Sequence, residues 1–208
     1  STNNYFREKF KLNKEEYPYL ITHAGMLSHA VFAEEVVTAF NNIDNGYALI
    51  YHESRKRDWD EPYFQLLRKI NSKNLFLSLD PLPYEEIHRV FDGSSIGLVI
   101  YKEIDDNFGK IAKASGKLSG YLQYGKPVIM NNLLSLVELN NKYNFGRVVQ
   151  DISCSTEIES ALQDILANYD TYSKNAKYCF EKEFTFDTKV EPFLKFLYSE
   201  SLSSSLSN

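Results

Sequence analysis

The sequence is short of cysteine, has no excess of positive charge and contains no long apolar run, and each absence excludes something. Its two cysteines, Cys154 and Cys179, lie far apart, in no CxxC pair and beside no His or Cys cluster at zinc spacing. A disulfide framework or zinc site is therefore not what organises the chain, and free thiols in a reducing compartment are expected. No apolar stretch reaches the ~18 residues of a membrane span, and the polar start Ser1 to Asn4 lacks the shape of a signal peptide. A cytoplasmic location is expected, with peripheral membrane attachment left open for a larger protein. The net charge is -5, so neutralising nucleic-acid phosphates is not the main task and no nucleic-acid partner is expected. The one basic cluster, Arg55, Lys56 and Arg57, is followed at once by Asp58 and Asp60, as in a solvated loop. No GxGxxG follows the first apolar run, which argues against a nicotinamide dehydrogenase, and no GxxxxGK[ST] marks a P-loop.

What is present is a globular composition: 43% hydrophobic, 14% aromatic and 25% charged over 208 residues, enough for a packed core without staples. Short runs rich in β-branched, Leu or aromatic residues at 19–23, 47–52, 74–79, 95–101, 126–130 and 146–149 read as buried parallel strands. Amphipathic segments alternate with them. Phe32, Val36 and Phe40 recur every four residues, and Pro62 and Pro83 sit where a first helical turn tolerates a missing N–H, opening helices over 62–70 and 83–91. Further helices are expected over 118–124 and 133–143, followed by 156–167, 169–184 and 187–198 with no strand between them. This alternation predicts an α/β fold with a parallel sheet of about six strands and C-terminal helices. Residues 1–198 make one domain, and the Ser-rich 199–208 a mobile tail.

The most informative segment runs from Ala114 to Ile129: Ser115-Gly-Lys-Leu-Ser-Gly-Tyr-Leu-Gln-Tyr-Gly-Lys-Pro-Val-Ile. It resembles a segment of the donor-binding C-terminal domain of GT-B glycosyltransferases, the retaining family four and its relatives, written Ser-x-Lys-Leu-x-Glu-Tyr-Leu-Ala-x-Gly-Lys-Pro-Val-Ile. The first run ending in Ala24-Gly25, the alternation between, and closing helices around Phe184 to Asp187 agree with it. The resemblance implies a Rossmann-like, doubly wound domain that binds a nucleotide-diphosphate sugar as substrate, with no metal or other cofactor. It further implies an N-terminal acceptor domain absent from this chain, and a glycan or lipid-linked acceptor. One departure matters: the family's two glutamates, the second of which bonds the donor ribose, correspond here to Ala112 and Gly120.

A diphosphate gains negative charge as the glycosidic bond breaks, so its site must present N–H groups or cations, which helix N-termini supply. Two are expected at the C-terminal edge of the sheet. Gly25, Met26 and Leu27 offer amides after the first strand. Gly116, Lys117 and Leu118 offer amides after Ser115, whose hydroxyl also caps the helix. Lys117 is the expected catalytic charge partner of the leaving diphosphate. A plain turn at Gly25, a bare cap at Ser115 and a surface lysine at 117 are the alternatives. The resemblance assigns Asp80, Pro81, Leu82, Tyr84 and Tyr121 to the nucleobase and ribose region, and Asn107, Phe108 and Gly109 to the sugar region. His23 ends the first strand beside the Gly25 turn, with either a structural role or one facing the donor; His29, His52 and His88 have no supporting pattern. Asp58-Trp-Asp60 and Asp105-Asp106 imitate metal-binding aspartates by chance. Three functions follow: sugar transfer from a nucleotide-sugar donor, a binding or assembly module that lost the chemistry, or a sugar-nucleotide epimerase.

Overall fold

The computed structural model describes residues 3–43, 46–71, 73–102 and 111–185. The sugar-region candidates Asn107, Phe108 and Gly109, the helix expected at 187–198 and the Ser-rich tail lie outside the described residues.

The six apolar runs form six strands, Tyr19–Ala24 (β1), Tyr47–His52 (β2), Leu75–Ser78 (β3), Ile96–Val99 (β4), Val128–Asn131 (β5) and Gly146–Val149 (β6). Every pairing is parallel, in the order β3-β2-β1-β4-β5-β6. Burial explains the sequence pattern: in β2 every residue from Ala48 to His52 is buried, on both faces, so the run is continuous instead of alternating. The helices are Tyr5–Phe10 (α1), Ala33–Asn41 (α2), Pro62–Ile70 (α3), His88–Asp92 (α4), Ile111–Ala114 (α5), Gly116–Gln123 (α6), Leu134–Tyr143 (α7), Ser155–Ala167 (α8) and Tyr169–Glu183 (α9).

Two apolar layers hold them to the sheet. Val36 and Phe40 of α2, Phe64 and Leu67 of α3, and Ile158 and Ile165 of α8 pack on one face around Ile21, Leu49 and Leu98. Phe6 of α1, Val90 of α4, Leu118 and Tyr121 of α6, Leu136 of α7 and Cys179 of α9 pack on the other around Leu20, Ile50 and Val99. Each fully buried Leu, Ile or Phe contributes about 1.5–3 kcal/mol over its exposed state, before entropy is counted.

Some expectations are corrected. The helix expected over 83–91 is two single turns, a 3-10 turn at Tyr84–Glu86 and then α4. The helix expected from Leu118 starts at Gly116, because the Ser115 hydroxyl caps it two residues sooner. The short α1 has no counterpart in the sequence reading.

The order of strands places the site. The chain winds outward from β1 to β3, then returns past β2 and β1 to place β4 on β1's other side. Open α/β sheets bind ligands where the order reverses, at the carboxyl ends of the strands. Here that crevice lies between the ends of β1 and β4. The returning segment carries Leu82, Ile87 and Phe91 into the same layer as α6.

Candidate functional site

The turn after β1 leaves the strand at Gly25, whose φ of 130° strains any L side chain. A Cβ there would lie 3.7 Å from Lys117 Cε and 3.8 Å from Nζ. The lysine therefore reaches from α6 across the switch point to lie over this turn. The far wall is the segment after β4. Tyr101 is held by a reciprocal pair with Asn131, its N–H donating to Oδ1 at 3.1 Å and its carbonyl accepting from Nδ2 at 2.8 Å. Its hydroxyl hydrogen-bonds the Ser115 hydroxyl. The two walls are tied where Lys102 N–H donates to the Ala30 carbonyl at 2.8 Å.

Helix α6 opens onto this space. Ser115 Oγ accepts from Leu118 N–H at 3.1 Å, while a side chain added at Gly116 would meet nothing within 4 Å. The Gly116 and Lys117 amides have no protein acceptor among the described residues, leaving two orphan donors at the positive end of the helix dipole.

Lys117 is half-buried, its Nζ 3.1 Å from His23 Nε2 and 4.4 Å from the centroid of the Tyr101 ring. Burial lowers its pKa to about 7, since desolvation disfavours the ammonium. His23 is 1% exposed. Burial, then the charge of Lys117, holds its pKa well below the ordinary value, so it stays neutral and Nε2 accepts from the ammonium. Burial likewise pushes the Tyr101 phenol up to about 12.

The candidates from the sequence divide. Lys117, Gly116 and Met26 face the crevice or its rim, Met26 being an exposed residue with no protein acceptor for its amide among the described residues. Three of the expected amides already have acceptors within the protein. Gly25 N–H donates to the His52 carbonyl at 2.9 Å, Leu27 N–H to Glu53 Oε2 at 2.9 Å, and Leu118 N–H to its cap. Asp80 and Pro81 are exposed on the rim after β3, Leu82 is half-buried, and Tyr84 is 88% exposed. Tyr121 is not on the surface. It is fully buried, with its hydroxyl donating to the Thr22 carbonyl at 2.7 Å and its ring filling the space above Gly97.

The sequence reading missed Glu53 and Tyr101. Glu53 is 1% exposed, and one carboxylate holds the Leu27 and Ser54 amides and meets Arg57 at 3.4 Å. It fixes the Gly25–Leu27 turn from the end of the neighbouring strand. An acidic residue directly after a buried strand was the available signal.

No protein-family model matches this sequence, and no curated protein does. Solved structures do match. Sucrose-phosphate synthase from Thermosynechococcus elongatus superposes on 95% of this chain and 48% of its own, with TM-score 0.69 and 16% identity. Anabaena HepE in complex with UDP and glucose covers 95% of this chain and 52% of its own, at TM-score 0.70 and 12% identity. WaaG, a glycosyltransferase involved in lipopolysaccharide biosynthesis, covers 94% and 50%, at 0.62 and 14%. This chain has the fold of a GT-B half. It spans about half the length of the structures it matches.

Within this GT-B-like half, the two positions without glutamate are packed, not open. A Cβ on Gly120 would lie 2.5 Å from the Phe91 ring, which meets Tyr121 edge-on at 5.1 Å. Ala112 is 2% exposed. No carboxylate is offered from either place. Among the described residues no helix is long and apolar enough to cross a membrane.

Proposed function

We propose that this domain binds the diphosphate of a nucleotide-diphosphate sugar in the crevice between the Gly25 turn and the start of α6. Together with an acceptor-binding domain, it serves sugar transfer with retention at the anomeric carbon. The observation that carries the reading is Lys117: a cation drawn across the switch point, beside two unpaired amides, in a wall of neutral groups. An arriving diphosphate supplies the negative charge this desolvated ammonium lacks, and the low-dielectric surroundings strengthen the contact. As the bond to the sugar breaks, charge grows on the same oxygens, so amides and ammonium hold the transition state more tightly than the ground state. A UDP donor is favoured, since HepE, of the same fold, was crystallised with UDP and glucose. The exposed Tyr84 and the 80–83 rim offer a surface for the base.

Calorimetry with UDP tests this. Millimolar or tighter binding by the wild-type chain, weakened about tenfold or more by Lys117→Ala as expected for a charge-assisted hydrogen bond, supports the reading. No heat with UDP or GDP at millimolar concentration overturns it.

A second reading is favoured by the Phe91 ring over Gly120 and by the buried Ala112. Here the fold is kept as a binding or assembly module, and the ribose-holding carboxylate has been replaced by packing. Donor turnover by the full protein separates the two: a rate unchanged by Lys117→Ala removes the lysine from any mechanism.

A further inference from the structure

The diphosphate reading makes Lys117 the working cation, but a lysine is a flexible chain whose ammonium prefers water. Something must hold it in the crevice. The Tyr101 ring offers only its face, and among the described residues Lys117 makes no ion pair with a carboxylate. The acceptor that remains is His23.

We infer that His23 is a positioning residue, its Nε2 anchoring the Lys117 ammonium at the mouth of the crevice while its ring is locked from behind. This rests on the diphosphate reading for its functional consequence, though not for the contact itself. The geometry is specific. His23 is the penultimate residue of β1 and 1% exposed. Its ring lies 5.2 Å from that of Tyr51 on β2, and it sits against the turn, its Nε2 4.0 Å from where a Cβ on Gly25 would lie. The imidazole therefore joins three parts of the site: strand, anion-facing turn and lysine. A neutral ring whose Nε2 lone pair accepts from Lys117 carries its proton on Nδ1. A protonated ring could not accept from the ammonium and would repel it, so the anchor requires neutral imidazole.

The surroundings keep it neutral. The titratable groups facing the pair are Tyr51 of β2, with Glu35 of α2 and Tyr63 of α3 behind it, and Tyr101 beyond β4. Burial raises all three phenols, so none donates charge at neutral pH. Glutamine at position 23 keeps an acceptor near the lysine, whereas phenylalanine keeps the bulk and removes it.

Nitrogen NMR of the unliganded wild-type chain is the first arm, because it needs neither variant nor ligand. The expected signature is His23 with Nδ1 protonated and Nε2 bare through neutral pH; a protonated Nε2 overturns the proposal. The second arm follows the Lys117 Cε resonance against pH in folded His23→Phe and His23→Gln. Loss of the anchor frees the ammonium, so its titration moves at least one pH unit toward an exposed lysine in His23→Phe and stays near wild type in His23→Gln. An unmoved titration in His23→Phe also overturns the proposal. The third arm is UDP affinity, expected to fall about tenfold in His23→Phe, to recover in His23→Gln, and to show no further loss when Lys117→Ala is added to His23→Phe. Fully additive losses contradict the anchor. Absence of UDP binding by the wild type refutes the nucleotide reading alone, and the first two arms still decide the anchor.

Discussion

Replacing Gly120 by alanine should destabilise the domain even though it improves a helix. Gly120 lies inside α6, where alanine is favoured over glycine by about 1 kcal/mol. Against that, the new Cβ would lie 2.5, 2.6 and 2.7 Å from three atoms of the Phe91 ring, where carbon contacts settle at about 3.5–4.0 Å. The ring must retreat by roughly an ångström, and its edge-on contact with the buried Tyr121 resists that. Overpacking of this kind costs about 1–3 kcal/mol, so the net effect is a loss of about 1 kcal/mol. The Phe91→Ala background removes the obstacle, and there the same Gly120→Ala change should stabilise by about 1 kcal/mol. Urea unfolding of the four chains, at unchanged m-value, measures this coupling. Stabilisation by Gly120→Ala in the wild-type background would refute the argument, and with it the claim that Phe91 occupies the space of the missing glutamate.

Other outcomes follow from individual contacts. Ser115→Ala removes the α6 cap and the partner of the Tyr101 hydroxyl, and should cost about 1 kcal/mol or somewhat more in urea unfolding. Lys117 is held at about 7 by burial and returns to about 10.4 in the unfolded chain. Its destabilising contribution is therefore complete below about 7 and fades as pH rises between the two values. The wild type should accordingly gain stability from pH 7 to 10 relative to Lys117→Met, and parallel curves would contradict it. Glu183 behaves oppositely: burial raises its pKa, but hydrogen bonds from Lys142, Tyr143 and Lys113 prevail and hold it at about 2. It stabilises above the unfolded value of about 4.3, and that contribution fades as pH falls through 2, so Glu183→Gln should lower stability at pH 7 and flatten its acid decline.

Most strands were legible because they are buried on both faces and so written as near-continuous apolar runs; β2 and β6 match the expected bounds at both ends, although the edge strand β6 exposes Arg147. Helix α1 was not legible. Six residues are too few to display a period, and Tyr5 and Phe6 are apolar for reasons that emerge only when they pack beside His52. The same limit applies in the site. Lys117 and the open start of α6 follow from a local pattern, Ser115-Gly-Lys, but whether an amide is free depends on partners far away. Nothing near Leu27 in sequence shows that Glu53, 26 residues on, takes its N–H. The resemblance puts Tyr121 with the ribose, and nothing local shows the bond to Thr22, 99 residues distant, that holds it in the core.

The central claim is that a diphosphate settles against the start of α6. Titrating the isotopically labelled chain with UDP and following its amide resonances tests this most directly. The account predicts the largest shifts at Gly116, Lys117 and Met26. Shifts concentrated at Ser94 and Ser95, on the opposite rim of the sheet, would contradict it.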